Sequence, residues 1–388
     1  MELKRWSCCV CVAILSLLLI LFTSLIWVAL LKLNLLPSVV NKPRIIFNAI
    51  EEQRKLIQKI NAESTWTAVL NPYATIQTTY NLDLETAISG IQQQWTYSLA
   101  RFIVSATKIQ DSVTLFGPPN ISAIPREFDA RNKWPYCASL RRPNLEQGAC
   151  GSCWAVVGAS VIADRICIHS EGQLQPQISA EEILNCNQFG GSCSGGELWF
   201  PFQHWVINGV VTGGEFGSRH GCQPYNHSSE CGTPCARWQF NRKHPCLRQC
   251  ADSYSKSYED DKLYGDSLYY IDLRDSNSTM VQLMQWEIMH RGPISTGLVA
   301  PLDLLHYDSG VYQHVGGGLV YSHAVRIVGW GEETQMLPNK TGRQVIPYWT
   351  IANSFGKRWG IGGFFKILRG SNHLNIETES FAAMPKLT

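Results

Sequence analysis

The chain has 388 residues, a formal net charge of +2 and 16% charged residues. That length accommodates two domains, or one large domain and a removable segment, and the near-neutral charge gives no basic surface for a nucleic-acid partner. Fourteen cysteines constrain more than the charge does. Cys8, Cys9 and Cys11 belong to an apolar N-terminal stretch, and the other eleven fall between Cys137 and Cys250. An oxidising compartment pairs ten of these and leaves one thiol over.

Lys4 and Arg5 precede a run from Trp6 to Leu31 without a charged residue. At about 1.5 Å per residue this run can cross a hydrocarbon core of about 30 Å as a helix. It exceeds the apolar core of an ordinary signal peptide and lacks a small-x-small cleavage site, while Lys32 beyond it weakens the charge rule for orientation. Residues 1–31 therefore read either as a signal peptide or as an uncleaved signal anchor spanning the membrane through residues 6–31. Asn120, Asn226, Asn277 and Asn339 head Asn-x-Ser/Thr sequences and are glycosylation candidates. With the cysteine density they place the folded body in the secretory pathway, lysosomal or extracellular, and luminal if the anchor is retained.

Residues 32–123 hold no cysteine. Ile46, Ile50, Ile57 and Ile60 recur at helical spacing, with Glu51 and Lys55 as an i,i+4 pair. Leu84, Ile88, Ile91, Trp95, Leu99 and Phe102 predict a second helix behind Asp83, and Gly117-Pro118-Pro119 breaks the pattern. This block reads as a separate helical segment on an exposed linker.

Gln147-Gly-Ala-Cys150-Gly-Ser-Cys153-Trp154 then places a thiol where a helix begins. The positive end of the helix dipole lowers a thiol pKa and favours the nucleophilic thiolate. From Cys153 to Ile168 the pattern is apolar nearly all round, which predicts a buried helix. A loop-rich, Gly- and Cys-studded region follows between Cys186 and Cys250. After Gly292-Pro293, short β-branched and aromatic runs at 324–328, 348–352 and 364–368 predict strands. The whole predicts an α+β chain, a helix-led half followed by a strand-rich half with a cleft between them.

Cys150 and Cys153 also form a C-x-x-C pair, which raises a redox reading of the thioredoxin kind. No βαβ pattern surrounds the pair, and the odd cysteine count favours Cys153 as the free nucleophile. His323, heading the apolar run Ala-Val-Arg-Ile-Val, would take the thiol proton and later protonate a leaving amine. Asn353 would hold that imidazole in its tautomer, with Phe355 and Trp359 as aromatic cover. Gln147, six residues before Cys153, would donate to an oxyanion together with the Cys153 backbone N–H. Gly195-Gly196 would let an extended peptide pair closely with the chain, or form a tight turn.

Gln147, Cys153, His323 and Asn353 in this order resemble the papain family of cysteine peptidases, and within it the cathepsin B branch. The resemblance runs from about residue 121 to the C-terminus. It extends more faintly into the preceding block, where Ser64-Thr65-Trp66 is similar to cathepsin B pro-segments. Ile124-Pro-Arg-Glu-Phe-Asp-Ala-Arg131 resembles a mature N-terminus. The implied architecture is a papain-like two-domain fold at 124–388, with a helical left half near 124–290 and a β-barrel-like right half near 291–388. Residues 32–123 would form a helical pro-segment that runs through the substrate cleft and is removed between Asn120 and Ile124.

The implied function is a cysteine endopeptidase made as a zymogen and working through an acyl-enzyme, with no metal or organic cofactor. Its partners would be polypeptide substrates, cystatin-type inhibitors and its own pro-segment. The family's bridges transfer as Cys137–Cys167, Cys150–Cys193, Cys186–Cys246, Cys222–Cys250 and Cys231–Cys235. Glu379, by its spacing back from Pro385, matches the acid that floors the second specificity pocket in cathepsin B. Leu198 and Gly297 would line that pocket, and Trp359 completes the substrate-binding set. Apolar or basic side chains would then be accepted at the second substrate position, P2.

Several positions depart from the cathepsin B pattern. The loop that carries paired histidines there corresponds to Cys231-Gly-Thr-Pro-Cys235, which is short and has none, while His220 and His227 fall outside it. This predicts an open primed side and weak or absent dipeptidyl carboxypeptidase activity. Tyr321-Ser322 replaces a Gly-Gly pair, Phe355 replaces a tryptophan and Glu146 stands for an Asp. The rival readings are a catalytically weak homologue acting as a binding protein, and a thiol-disulfide oxidoreductase with Cys150 bonded to Cys153.

Overall fold

The computed structural model describes residues 42–71, 110–117, 119–232, 234–235, 239–271, 279–336 and 342–387. The chain divides into the units Met1–Glu51 and Glu52–Thr388. The apolar run at 6–31, the second predicted helix at 84–102, Asn277 and Asn339 lie outside the described residues. No helix among the described residues is long and apolar enough to cross a membrane.

Helix α1 (Lys42–Glu63) covers the first predicted helix, and its C-terminal part buries Ile60 against the sheet core. Strand β1 (Trp66–Ala68) follows at once, then β2 (Gln110–Asp111) and a short helix α2 (Ser112–Phe116). Strand β3 (Phe128–Asp129), helix α3 (Ala130–Lys133), helix α4 (Cys153–His169), helix α5 (Ala180–Cys186) and helix α6 (Phe200–Asn208) make the helix-led part. After β4 (Gly265–Ile271) and helix α7 (Met280–Arg291) come β5 (Ile294–Pro301), β6 (Tyr307–Tyr312), β7 (Leu319–Met336), β8 (Arg343–Ala352), β9 (Phe364–Leu368) and β10 (Ser380–Pro385).

The strands join in the order β1-β6-β9-β8-β7-β5-β10-β4-β2, with β3 on β7. Pairing is antiparallel except for β6 with β9 and β2 with β4. Two cores result. One gathers the apolar faces of α4, α5 and α6, and the other is enclosed by the sheet. β4 and β10 form the wall between them, because successive strand residues point to opposite faces. Leu268, Tyr270, Phe381 and Ala383 enter the helical core, while Tyr269, Ile271 and Ala382 enter the sheet core. The division near residue 290 is thus blurred: β4 and α7 precede it in the chain but pack with the strand-rich half.

Helix α4 is buried on every side, as its all-round apolar pattern requires. Pro201 sits where a Cβ on Gly158 would be, at 2.2 Å, so only glycine lets α6 approach this closely. Two adjacent charges on α4 tie it to the second half. Asp164 accepts from Arg326 Nη1 on β7 at 2.6 Å, with both side chains 1% exposed or less. Arg165 donates to Glu287 on α7 at 2.9 Å and to the Gly292 and Pro293 carbonyls just beyond that helix. Disulfides close Cys137–Cys167, Cys150–Cys193, Cys186–Cys246, Cys222–Cys250 and Cys231–Cys235.

Removing one member of a buried ion pair leaves an uncompensated charge, a loss of about 3–5 kcal/mol. Arg326→Met should therefore lower stability by about that amount in denaturant unfolding, and Asp164→Leu with Arg326→Met should recover most of it. A small loss in the single variant would show that Asp164 is not held ionised by Arg326.

Candidate active site

Cys153 is the first residue of α4 and the free cysteine among the described residues. Cys150 is bonded to Cys193, so the C-x-x-C pair holds no internal bridge and the oxidoreductase reading fails. Ser152, the N-cap residue, makes no side-chain cap, because its hydroxyl is engaged with the Tyr225 hydroxyl at 2.5 Å. The first N–H groups of α4 therefore stay available to an anion. The Cys153 sulfur lies near the backbone N–H groups of Ala324, Trp154 and its own residue, which favour the thiolate. Ala324 directly follows His323, so the thiol at the head of α4 lies against the strand that carries the histidine.

The tautomer of His323 follows from its neighbours. Asn353 Oδ1 accepts from the Ser354 backbone N–H at 2.8 Å, which identifies that atom as the oxygen. His323 Nε2 lies 2.8 Å from the same oxygen and must carry the hydrogen. Nδ1 is then the basic nitrogen, and it is buried without a hydrogen-bond partner. Phe355 stacks on the imidazole at 4.8 Å between centroids and screens the His–Asn bond from water. Trp359 stands edge-on behind Phe355, 5% exposed, with its indole N–H given to the Leu305 carbonyl. It supports the Phe355 ring.

Burial opposes charge on both groups. It pushes the Cys153 thiol up and the His323 imidazole down to about 4, with only the Asn353 bond raising the latter. Either charge alone is unfavourable here. Moving the proton from sulfur to imidazole creates both charges together, and opposite charges about 4 Å apart attract by about 4 kcal/mol at an effective dielectric of 20. For a pair at that separation this is about 3 pK units shared between the two groups, and it acts against the burial. Hydrogen bonds at the α4 N-terminus favour the thiolate further.

Gln147 is buried beside this pair. Its Nε2 donates to the Cys150 carbonyl at 3.0 Å, and its Oε1 accepts from Ser354 Oγ at 2.7 Å. Its backbone N–H donates to the Ser354 carbonyl at 3.1 Å, and its own carbonyl accepts from the Tyr225 hydroxyl at 2.7 Å. Ser354 thus holds both the Asn that orients the imidazole and the Gln beside the thiol. The Gln147–Cys150 loop needs its glycine, since Gly148 has φ +57° and a Cβ there would meet the Ser228 carbonyl at 2.5 Å.

Gly195 and Gly196 lie in a short bridge, with Ser192 and Gly195 exchanging backbone hydrogen bonds. A Cβ on Gly196 would meet the Trp154 indole at 2.6 Å, whereas the space at Gly195 is open. Leu198 lies 3.5 Å from where a Gly297 Cβ would be, and Thr296 Oγ1 donates to the Glu379 carbonyl at 2.8 Å. Leu198, Gly297 and the Glu379 backbone therefore lie close together. Glu379 has its carboxyl pushed up to about 7, first by burial and then by the charge of Glu197. Asn120 and Asn226 are exposed.

Three further contributors carry little signal in the linear pattern. Ser354 carries no motif beyond its place after Asn353. Tyr321 puts its ring edge on His323 at 5.7 Å, and its hydroxyl is buried without a partner while the nearby Cys153 sulfur helps push it up. Its replacement of a glycine was the signal. Glu197, beside Leu198, is likewise raised by burial and faces Glu379. Its place next to Gly195-Gly196 was the signal available.

A desolvated thiol, a basic imidazole nitrogen and open helix N–H groups define a thiol hydrolase site. Comparison with known proteins narrows the class. The profile of the papain family cysteine protease matches residues 124–384, and the chain belongs to that family. It is 41% identical over 268 residues to cathepsin B-like cysteine proteinase 3 of Caenorhabditis elegans, covering 68% of this chain and 67% of that protein. It is 36% identical over 269 residues to a cathepsin B-like cysteine proteinase of Schistosoma japonicum, covering 68% and 74% of the two chains. Among solved structures it is similar to procathepsin B S9 of Trypanosoma congolense, with TM-score 0.60 and 28% identity over 86% of this chain and 98% of that one. A procathepsin L 3 of Tenebrio molitor shares the fold at 16% identity, with TM-score 0.53 over 92% and 96%. The protein is a cathepsin B-like cysteine peptidase carrying its own pro-segment.

Replacing Gln147 by Ala should lower kcat by on the order of 10²–10³, the usual effect of losing one oxyanion donor. Alkylation of Cys153 by iodoacetamide should proceed at nearly the original rate. Equal losses in both would show that Gln147 acts on the thiol and not on the oxyanion.

Proposed function

We propose that this chain is a cysteine endopeptidase in which the Cys153 thiolate attacks a peptide carbonyl. His323 takes the thiol proton and delivers it to the leaving amine, and water then hydrolyses the acyl-enzyme. Asn353 orients the imidazole and Gln147 donates to the oxyanion. The observation that carries the reading is the buried, unpartnered His323 Nδ1, with Nε2 already committed to Asn353 and the thiol at the adjoining Ala324.

Residues 32–123 act as the pro-segment, residues 124–388 as the peptidase, and residues 1–31 as the secretory signal or anchor. Trp66 supports the first assignment. It is 2% exposed, packs on Tyr312 at 4.9 Å and donates its indole N–H to the Gln313 carbonyl, while β1 adds to the edge of the sheet at β6. Strand addition of this kind binds a segment through its backbone. Cystatin-type inhibitors would occupy the same cleft, and the five disulfides fit a lysosomal or extracellular location. Cys231 and Cys235 are bridged over a separation of only 4 and enclose no histidine, which favours endopeptidase over dipeptidyl carboxypeptidase action.

Incubated at mildly acidic pH, the expressed protein should acquire a new N-terminus between Asn120 and Ile124 and cleave a peptide library internally. Cys153→Ala should do neither. Release of C-terminal dipeptides as the main product would overturn the endopeptidase assignment.

Glu379 and Glu197 together give the P2 pocket an acidic floor. A carboxyl raised to about 7 is neutral below that pH and accepts apolar side chains, and above it the carboxylate pairs with Arg or Lys. The ratio of kcat/KM for P2 Arg over P2 Leu should therefore rise as pH rises through about 7. Glu197→Gln removes a like charge and should move that rise to lower pH. Glu379→Ala should abolish it, and an unchanged ratio would remove Glu379 from the pocket.

A further inference from the structure

A second cluster of side chains adjoins the active-site loop and takes no part in the peptidase chemistry. Glu181 on α5, His227 and His244 place one ligand atom each within 4.8 Å of one another. The two imidazoles stack at 4.7 Å between centroids, and His244 Nδ1 lies 2.8 Å from Glu181 Oε1. His227 is 1% exposed, and its Nδ1 has no hydrogen-bond partner. Its Nε2 reaches only the Cys193 sulfur at 4.0 Å, which is spent in the bridge to Cys150. Both sulfurs near His227 are therefore closed to metal ligation. A buried ring nitrogen left without a partner is rare in folded proteins and calls for an occupant.

From this cluster we propose a binding site for a divalent transition-metal ion of the zinc class, ligated by Glu181, His227 and His244, with a fourth position open to water. Two imidazoles and a carboxylate suit zinc, whereas calcium and magnesium prefer an all-oxygen set. Glu181 is held as a metal-bound carboxylate usually is: Oε1 accepts from Asn185 Nδ2 at 2.8 Å and Oε2 from the Asn226 backbone N–H at 3.0 Å. Donors at about 2.0–2.2 Å from a tetrahedral ion stand about 3.3 Å apart, so the cluster must tighten on binding. His244, whose side chain is 39% exposed, is the member free to move. The ion takes the place of the hydrogen now shared between His244 Nδ1 and Glu181.

The position gives the site a purpose. Ser228, next to His227, accepts from the Ala149 backbone N–H at 2.8 Å, and Asn241 donates to the Ala149 carbonyl at 2.7 Å. A metal joining His227 and His244 to α5 fixes both clamps on the loop that carries Gln147. It acts as a brace and leaves the thiol untouched.

The test uses the full chain with Cys153→Ala, which removes the catalytic thiol as a competing ligand and is independent of activity. Calorimetric titration with Zn2+ should show one saturable site, and Zn2+ should raise Tm. Co2+ should give the absorption of a tetrahedral nitrogen and oxygen site without thiolate charge-transfer bands. His244→Ala and Glu181→Gln, each added to Cys153→Ala, should weaken Zn2+ by more than the about 10–100-fold that follows loss of a supporting partner. Glu181→Gln keeps the acceptor for Asn226, so it reports on ligation even if His244→Ala alters the loop. Absence of saturable Zn2+ uptake, or uptake unchanged in both variants, would overturn the site.

Discussion

The contact between α4 and β7 is the constraint on which the rest of the structure depends. Cys153 opens the helix and His323 lies in the strand, and neither element could place them together alone. Asp164, about three turns along the helix, grips Arg326, three residues along the strand from His323. Arg165 at the same level grips Glu287 and the chain leaving α7. These buried charges are poor contributors to raw stability, and they join the helix to the strand at one fixed level. The register of the reacting pair is inherited from that alignment.

The site then works by making isolated charge unfavourable. Burial disfavours a lone thiolate and a lone imidazolium, and the pair gains what each lacks by being created at once. Around it, almost every polar group is committed. Ser354 holds Asn353 and Gln147, Tyr225 holds Ser152 and the Gln147 carbonyl, and Phe355 covers the imidazole. Among the uncommitted atoms, three are informative. His323 Nδ1 and the Tyr321 hydroxyl lie at the reacting centre, and His227 Nδ1 lies behind its loop. At Glu379 the same burial, helped by the charge of Glu197, pushes the carboxyl up to about 7.

Much of this was legible before any coordinates. The α+β class, the buried helix after Cys153, the helix ending in the 60s and the reacting residues all follow from periodicity, motif order and family resemblance. Those signals are local, because a period of 3.6 or 2 and a thiol at a helix start are carried by neighbours in the chain. Less legible was the sharing of β4 and β10 between two cores, which blurred the expected division near residue 290. A strand whose two faces are both buried carries no polar alternation to mark which core each face will meet. An aromatic near a site, such as Trp359, reads the same in the sequence whether it faces the cleft, backs another ring or does both.

Order along the chain, the odd cysteine and the start of α4 were determined by sequence alone, because helix initiation and thiol count are properties of the chain and need no fold. Tertiary structure alone decided which imidazole nitrogen is free, that Glu197 faces Glu379, and that His227 and His244 meet over Glu181. Each is a relation between side chains distant in sequence, set by the packing of elements, and it is packing that decides which polar atoms find partners and which are left open.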